Sequence, residues 1–487
     1  MHIRISFFWL GLLLVPVLAS AEDRYAGLTD CELAAGGGRI TASARCGTFE
    51  VPENRSDPDG RQLELAYAVL PARAPRAQPD PVFFLAGGPG QSARETLPIM
   101  RHALRDINRE RDLVFLDQRG TGGSNRLDCA FDDDEAAWLD PSPDQLTDQL
   151  AECRRRWDAD LRFYTTSDGA GDLEALRERY GFEQINLIGG SYGTRMAQVY
   201  LRQYPDRVRS VILDGVVPTR LHLGAEHGLM LDRALQGLFT ACAEQPRCAE
   251  TFPDLPESFR LLKERYHASD NGPLIELTHP RTGEVMELPF TRPTLAGALR
   301  FLAYAPQTQT LIPKLVHEAA TSGDPARLAS QALIVTDQMT ELIAIGLNFA
   351  VGCSEDWPGW PAMPEQEDTL LGNSMKEVYD AVCSDWPLGD RPDDFHQAFD
   401  SDVPILILSG ELDPVTPPEY GDEAHAQFSN SLHLVARGRG HIVLTQPCIS
   451  RIGTEFMTTA SFDELDTSCM DRLGPEPFFL NLLGPAP

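Results

Sequence analysis

The sequence predicts an α/β protein with a mostly parallel central sheet, helices on both faces and an inserted, mainly helical cap. Three observations carry this expectation. Short apolar runs end abruptly in glycine-rich or charged loops, helical stretches separate successive runs, and the alternation stops after Val217 and resumes only at Pro404. Apolar runs without an in/out alternation are the mark of strands covered on both faces, and strand–helix–strand order implies right-handed parallel crossovers.

In chain order, the first residues read as an export signal. Arg4 gives a positive start, Phe7 to Leu18 is apolar, and Ala19-Ser20-Ala21 is the small-x-small pattern cut by signal peptidase, so 1–21 is expected to be removed. The apolar run is short for a membrane span, and Glu22-Asp23 follow it at once. The expected location is periplasmic or secreted, with no membrane association after cleavage. Ten cysteines fit an oxidising compartment. With no CxxC pair a zinc site is a poor explanation. Their order suggests neighbour bridges 31–46, 129–153, 242–248, 353–383 and 448–469.

Thr48–Val51 and Leu63–Val69 alternate apolar and polar residues around a turn through Ser56–Gly60, which predicts a hairpin leading into the sheet. The runs Pro81–Ala86, Leu113–Leu116, Ile185–Ile188 and Val211–Leu213 are the next strands, with helices over Asp172–Tyr180 and Thr194–Tyr204. Together 22–217 form the first part of the core. The nearly two hundred residues that follow are too long for a structureless loop, so 218–402 is expected to be a cap domain. Within it, Ile334–Val351 reads as one buried helix, because Asp337 and Glu341 interrupt it as a membrane span. The second core part, 403–487, supplies strands at Ile405–Leu408 and Ser431–Val435.

Gly189-Gly190-Ser191-Tyr192-Gly193 matches G-x-S-x-G between a buried strand and a helix. Glycines are needed there because the turn is too tight for side chains, and the serine hydroxyl projects from it. Serine is a poor nucleophile until a base takes its proton. In this arrangement acid and base follow in the order Ser, acid, His. His441, after Gly440 in the loop beyond a late strand, is the candidate base; Asp413, in Ser409-Gly410-Glu411-Leu412-Asp413-Pro414, is the candidate acid, with Glu411 and Asp214 as rivals. His433 lies inside a strand and reads as structural. The backbone N–H groups of Tyr192 and Gly88, the latter in Gly87-Gly88-Pro89-Gly90, are the candidate oxyanion donors.

AGGPG at 86–90, DQRGTGGSN at 117–125, GGSYG at 189–193 and GELDPVTP at 410–417 resemble the proline iminopeptidase and tripeptidyl aminopeptidase (TAP-like) family of α/β-hydrolases. The match spans about 50–217 and 400–450 in order. It implies an α/β-hydrolase fold and a serine peptidase releasing residues or tripeptides from free N-termini of peptide substrates through an acyl-enzyme. The iminopeptidase pattern opens its glycine loop with His, whereas this chain has Ala86, which moves the expectation toward the tripeptidyl side. Such an exopeptidase needs a carboxylate for the substrate ammonium, and Glu355 and Asp356 are the candidates. Arg119 reads as a clamp on neighbouring carbonyls. An esterase or amidase of the same fold is the alternative. A formal charge of -30 argues against nucleic acid as a partner, and without P-loop or dinucleotide spacings no cofactor or metal is expected.

Overall fold

The computed structural model describes residues 24–35, 38–129, 143–266, 272–279, 282–481 and 483–485. The expected signal segment 1–21 lies outside them. In chain order the elements are β1 (Thr29–Ala35), β2 (Ile40–Pro52), β3 (Gln62–Leu70), β4 (Val82–Leu85), α1 (Ala93–Ala103), β5 (Leu113–Leu116), α2 (Pro143–Arg154), α3 (Thr166–Tyr180), β6 (Ile185–Gly190), α4 (Tyr192–Gln203) and β7 (Val208–Asp214). The segment that follows holds α5 (His227–Ala243), α6 (Pro246–Thr251), α7 (Leu255–Tyr266), the hairpin β8 (Leu274–Thr278) and β9 (Val285–Pro289), α8 (Arg292–Leu302), α9 (Pro306–Gln309), α10 (Ile312–Ser322), α11 (Ala326–Leu342), α12 (Ile345–Val351) and α13 (Ser374–Cys383). The chain then returns through β10 (Ile405–Gly410), α14 (Pro418–Gln427), β11 (Ser431–Ala436) and α15 (Pro447–Thr459).

One nine-stranded sheet runs in the order β1-β2-β3-β5-β4-β6-β7-β10-β11. The first three strands and the β3–β5 pair are antiparallel, and every pairing from β5 to β11 is parallel. The apolar runs have their expected cause. In β10, Ile405 and Ile407 join the cluster packed under α3, α4 and α14, while Leu406 and Leu408 join the one packed under α1 and α15. Successive strand residues face opposite sides, and both sides are covered, so positions 405–408 are all apolar. Arg119 is fully buried, donating to the carbonyls of Glu53 and Phe163 and bidentately to Asp172.

The segment between β7 and β10 has its own apolar cluster around Leu235, Leu299, Val316 and Leu333. Five disulfides join Cys31–Cys46, Cys129–Cys153, Cys242–Cys248, Cys353–Cys383 and Cys448–Cys469, each between neighbours in the cysteine order. One expectation is corrected. Ile334–Val351 is not a single helix, because α11 ends at Leu342 and α12 begins at Ile345. Ile343 forms an isolated bridge with Gln91, and the Ala344 N–H donates to the Gly90 carbonyl at 2.9 Å. The backbone that would continue the helix is bonded to the glycine loop instead. Among the described residues no helix is long and apolar enough to cross a membrane.

Candidate active site

Ser191 stands between β6 and α4 at φ 53°, ψ -123°, a conformation that non-glycine residues occupy only when the surrounding structure over-determines it. The surroundings here are specific. The Ser191 N–H donates to the Asp214 carbonyl at 2.9 Å, and the Ser191 carbonyl accepts from the Thr194 N–H at 2.9 Å and the Thr194 hydroxyl at 2.6 Å. A Cβ at Gly193 would collide with the Leu85 carbonyl, and one at Gly189 with the Gly193 carbonyl. Both glycines of the motif are therefore steric requirements of the turn.

His441 and Asp413 come together at the carboxyl ends of β11 and β10. Nδ1 of His441 lies 2.8 Å from Oδ2 of Asp413, which is fully buried. The carboxylate is held from three further donors: Oδ1 accepts the N–H groups of Val415 (2.8 Å) and Thr416 (2.9 Å), and Oδ2 accepts the Thr416 hydroxyl (2.9 Å). Thr416 was not foreseen as part of this constellation, although it sits inside the GELDPVTP stretch. Burial alone would lower the His441 pKa; the charge and hydrogen bond of Asp413, with a smaller contribution from Asp214, reverse this and raise it above the ordinary 6.5. Because a protonated imidazole accepts no proton, kcat/KM should fall on the acid side with a midpoint above 6.5. A pH–rate profile flat down to pH 6 would contradict this.

The rival acids have other partners. Asp214 accepts the N–H groups of Val443 (3.0 Å) and Leu444 (2.8 Å), fastening the loop beyond His441, and burial pushes its pKa up to about 6. Glu411 accepts the Gly438 N–H. His433 bonds Asp422 and Ser409.

Ser191, His441, Gly87 and Gly88 line one cavity of about 530 Å³, whose walls are otherwise largely apolar. Among the described residues no hydrogen bond joins Ser191 Oγ to His441; such contacts commonly tighten only when substrate binds. Gly88 has φ 106°, and Asn348 donates to the neighbouring Pro89 carbonyl at 3.1 Å. The Gly87 N–H is occupied by Gln91 Oε1 (3.1 Å). Among the described residues the Gly88 N–H has no acceptor. The Tyr192 N–H opens α4, where helix geometry leaves it without an internal acceptor. The Tyr192 ring is buried, its hydroxyl bonded to Thr166 (2.8 Å) and Gln118 (3.2 Å).

Glu355 and Asp356 are fully buried outside the cavity lining, on one π-helical turn after α12. Asp356 receives Arg195 Nη1 at 2.9 and 3.0 Å and the Leu223 N–H at 2.9 Å. Glu355 accepts the Thr166 N–H (2.5 Å) and hydroxyl (2.7 Å), and burial, only partly offset by Arg195, pushes its pKa up to about 7. A folded-state pKa above the unfolded value means that stability is lost as pH rises through about 7. Glu355→Gln should therefore lose less stability than the wild type between pH 5 and 8, read as urea midpoints; parallel pH dependences would contradict this.

His222, Asp356 and His396 bring three possible metal-ligand atoms together. Both ring nitrogens of His396, however, face backbone carbonyls, of Thr219 (3.0 Å) and Glu355 (2.9 Å), and the Asp356 carboxylate holds Arg195. The set does not suit a cation.

Residues 80–257 match the family described as alpha/beta hydrolase fold, and residues 368–469 match the family described as TAP-like protein. The chain is an α/β-hydrolase whose residues 368–469 are TAP-like. It is 24% identical over 503 residues to the tripeptidyl aminopeptidase of Streptomyces lividans, covering 94% of this chain and 90% of that one. It is likewise 24% identical over 462 residues to the serine protease Hip1 of Mycobacterium tuberculosis, covering 86% of each. A relative from that organism named carboxylesterase B is 33% identical over 229 residues, 42% of this chain and 43% of its own. This α/β-hydrolase is a serine hydrolase. Arg300, Tyr304 and Asn348 also line its cavity, and no motif in the sequence announces them.

Proposed function

We propose that this hydrolase is an exported aminopeptidase that removes N-terminal residues or tripeptides from peptides through a Ser191–His441–Asp413 triad. The observation that carries the reading is the buried Asp413–His441 pair opening onto the same cavity as the strained Ser191. Ser191 Oγ attacks the acyl carbon while His441 takes its proton. The oxyanion accepts from the N–H groups of Gly88 and Tyr192. As the C–N bond breaks, His441 returns the proton to the leaving nitrogen. Water, deprotonated by the same imidazole, then cleaves the acyl-enzyme and restores Ser191. Asp413 keeps the imidazole oriented and stabilises its cation. Residues 218–402 act as a cap over the site, supported by their separate apolar cluster and by the contacts of Ala344 and Asn348 with the glycine loop. Five disulfides support a periplasmic or secreted location.

One observation favours a second reading, an esterase or amidase. Glu355 and Asp356 are engaged elsewhere, and among the described residues the one carboxylate in the cavity lining, Asp214, holds two backbone N–H groups. Rates on aminoacyl and tripeptidyl amides, each with a free and an acylated amine, separate the two. The aminopeptidase reading predicts turnover of the free-amine series and at least tenfold less on the blocked series. Equal rates on both would overturn it.

A further inference from the structure

We infer that Arg300 is a carboxylate-binding site for the leaving fragment of the substrate, so that the preferred peptides present a carboxylate just beyond the scissile bond. The proposal rests on the peptidase reading above.

Arg300 lies in the last turn of α8 and lines the Ser191 cavity. Among the described residues its buried Nε has no acceptor, and its one hydrogen bond is a 3.4 Å contact from Nη2 to the Tyr304 hydroxyl. Among the described residues it forms no ion pair. This is unusual for a chain with Asp+Glu 72 against Lys+Arg 42, in which the other cavity-facing charge, Asp214, is satisfied by backbone donors. A guanidinium carries five donors in a planar fork that matches a carboxylate bidentately. The cavity thus offers a half-buried cation with no carboxylate partner among the described residues, set between apolar walls where such a pair is screened less than at a surface.

The side of the site follows from His441. The imidazole must hand its proton to the leaving nitrogen, so the leaving fragment lies against it. The Tyr304 ring packs edge-on against the His441 ring at 5.4 Å, and the Tyr304 carbonyl accepts the His441 N–H at 2.9 Å. The Arg300 guanidinium sits over the same Tyr304 ring, 6.0 Å from its centre. Arg300 is therefore placed beside the leaving fragment. The C-terminal carboxylate of a single released residue is the simplest group to meet it, which makes short peptides the substrate class.

The test compares a tetrapeptide of three acyl-side residues and a C-terminal alanine as free acid and as C-terminal amide, in the wild type, Arg300→Gln, Arg300→Lys and the surface control Arg260→Gln. The wild type should favour the acid by about 10- to 100-fold in kcat/KM, the range expected of a charge-assisted hydrogen-bond pair. Arg300→Gln should bring the ratio close to one, Arg300→Lys should retain part of it, and Arg260→Gln should leave it unchanged. Calorimetric binding of the same two tetrapeptides to Ser191→Ala protein, with and without Arg300→Gln, reads the site without turnover and should show the same preference and loss. A wild type without preference, or a preference that survives Arg300→Gln, overturns the inference. Failure of the peptidase reading has a different signature, the absence of Ser191-dependent turnover of either tetrapeptide while the Arg300-dependent binding preference persists.

Discussion

Ser191→Ala is expected to lower kcat by about 10⁶-fold on any substrate the enzyme turns over, while the protein remains folded. The size follows from the removal of the attacking atom: His441 and Asp413 then have no partner to activate, and what survives is the acceleration supplied by binding and the oxyanion donors. Folding should be little affected, because the hydroxyl has no hydrogen-bond partner among the described residues, and the turn is held by the Ser191 backbone and its glycines. Alanine must still occupy φ 53°, so the thermal midpoint should stay close to that of the wild type. Residual activity within tenfold of the wild type would show that another group attacks the acyl carbon.

The second large effect is expected from Asp413→Asn, a loss of about 10⁴-fold in kcat. The carboxamide preserves the shape but not the charge. It no longer stabilises the imidazolium, and an amide nitrogen turned toward His441 Nδ1 favours the tautomer that presents Nε2–H to Ser191, the wrong form for a base. Because the Asp413 charge and hydrogen bond raise the His441 pKa against the effect of burial, the acid limb of the residual pH–rate profile should also move to lower pH. A structural defect alone would not shift that limb. Asp214→Asn offers the contrast. Its carboxylate holds the Val443 and Leu444 N–H groups rather than the imidazole, so the kinetic loss should be smaller and accompanied by lower stability.

Much of this fold was legible because the central strands are covered on both faces, which leaves unbroken apolar runs such as Leu113–Leu116. The elbow was legible because its glycines are steric necessities that appear directly as letters. The start of α3 was not. Gly169 and Gly171 are poor helix formers, and the helix begins at Thr166 through a capping box between Thr165 and Asp168, with Gly171 giving room to the Arg55 side chain. The break between α11 and α12 was hidden for another reason: an apolar run keeps its periodicity when a distant loop captures two of its backbone groups. Arg300 was illegible for the same class of reason. Nothing in its neighbourhood of α8 distinguishes a surface arginine from one turned into a cavity, and only the packing against Tyr304 and His441 does so. Glu355 and Asp356 show the converse: acidic residues beside a disulfide looked like ligands for an ammonium, yet their buried partners are Arg195 and Thr166.

The most direct test of the central claim is labelling of the intact protein with a fluorophosphonate, followed by peptide mass spectrometry. One adduct per chain on Ser191, absent in Ser191→Ala and formed much more slowly in Asp413→Asn, is the predicted result. An adduct on a different residue, or labelling undiminished in Ser191→Ala, would contradict the account.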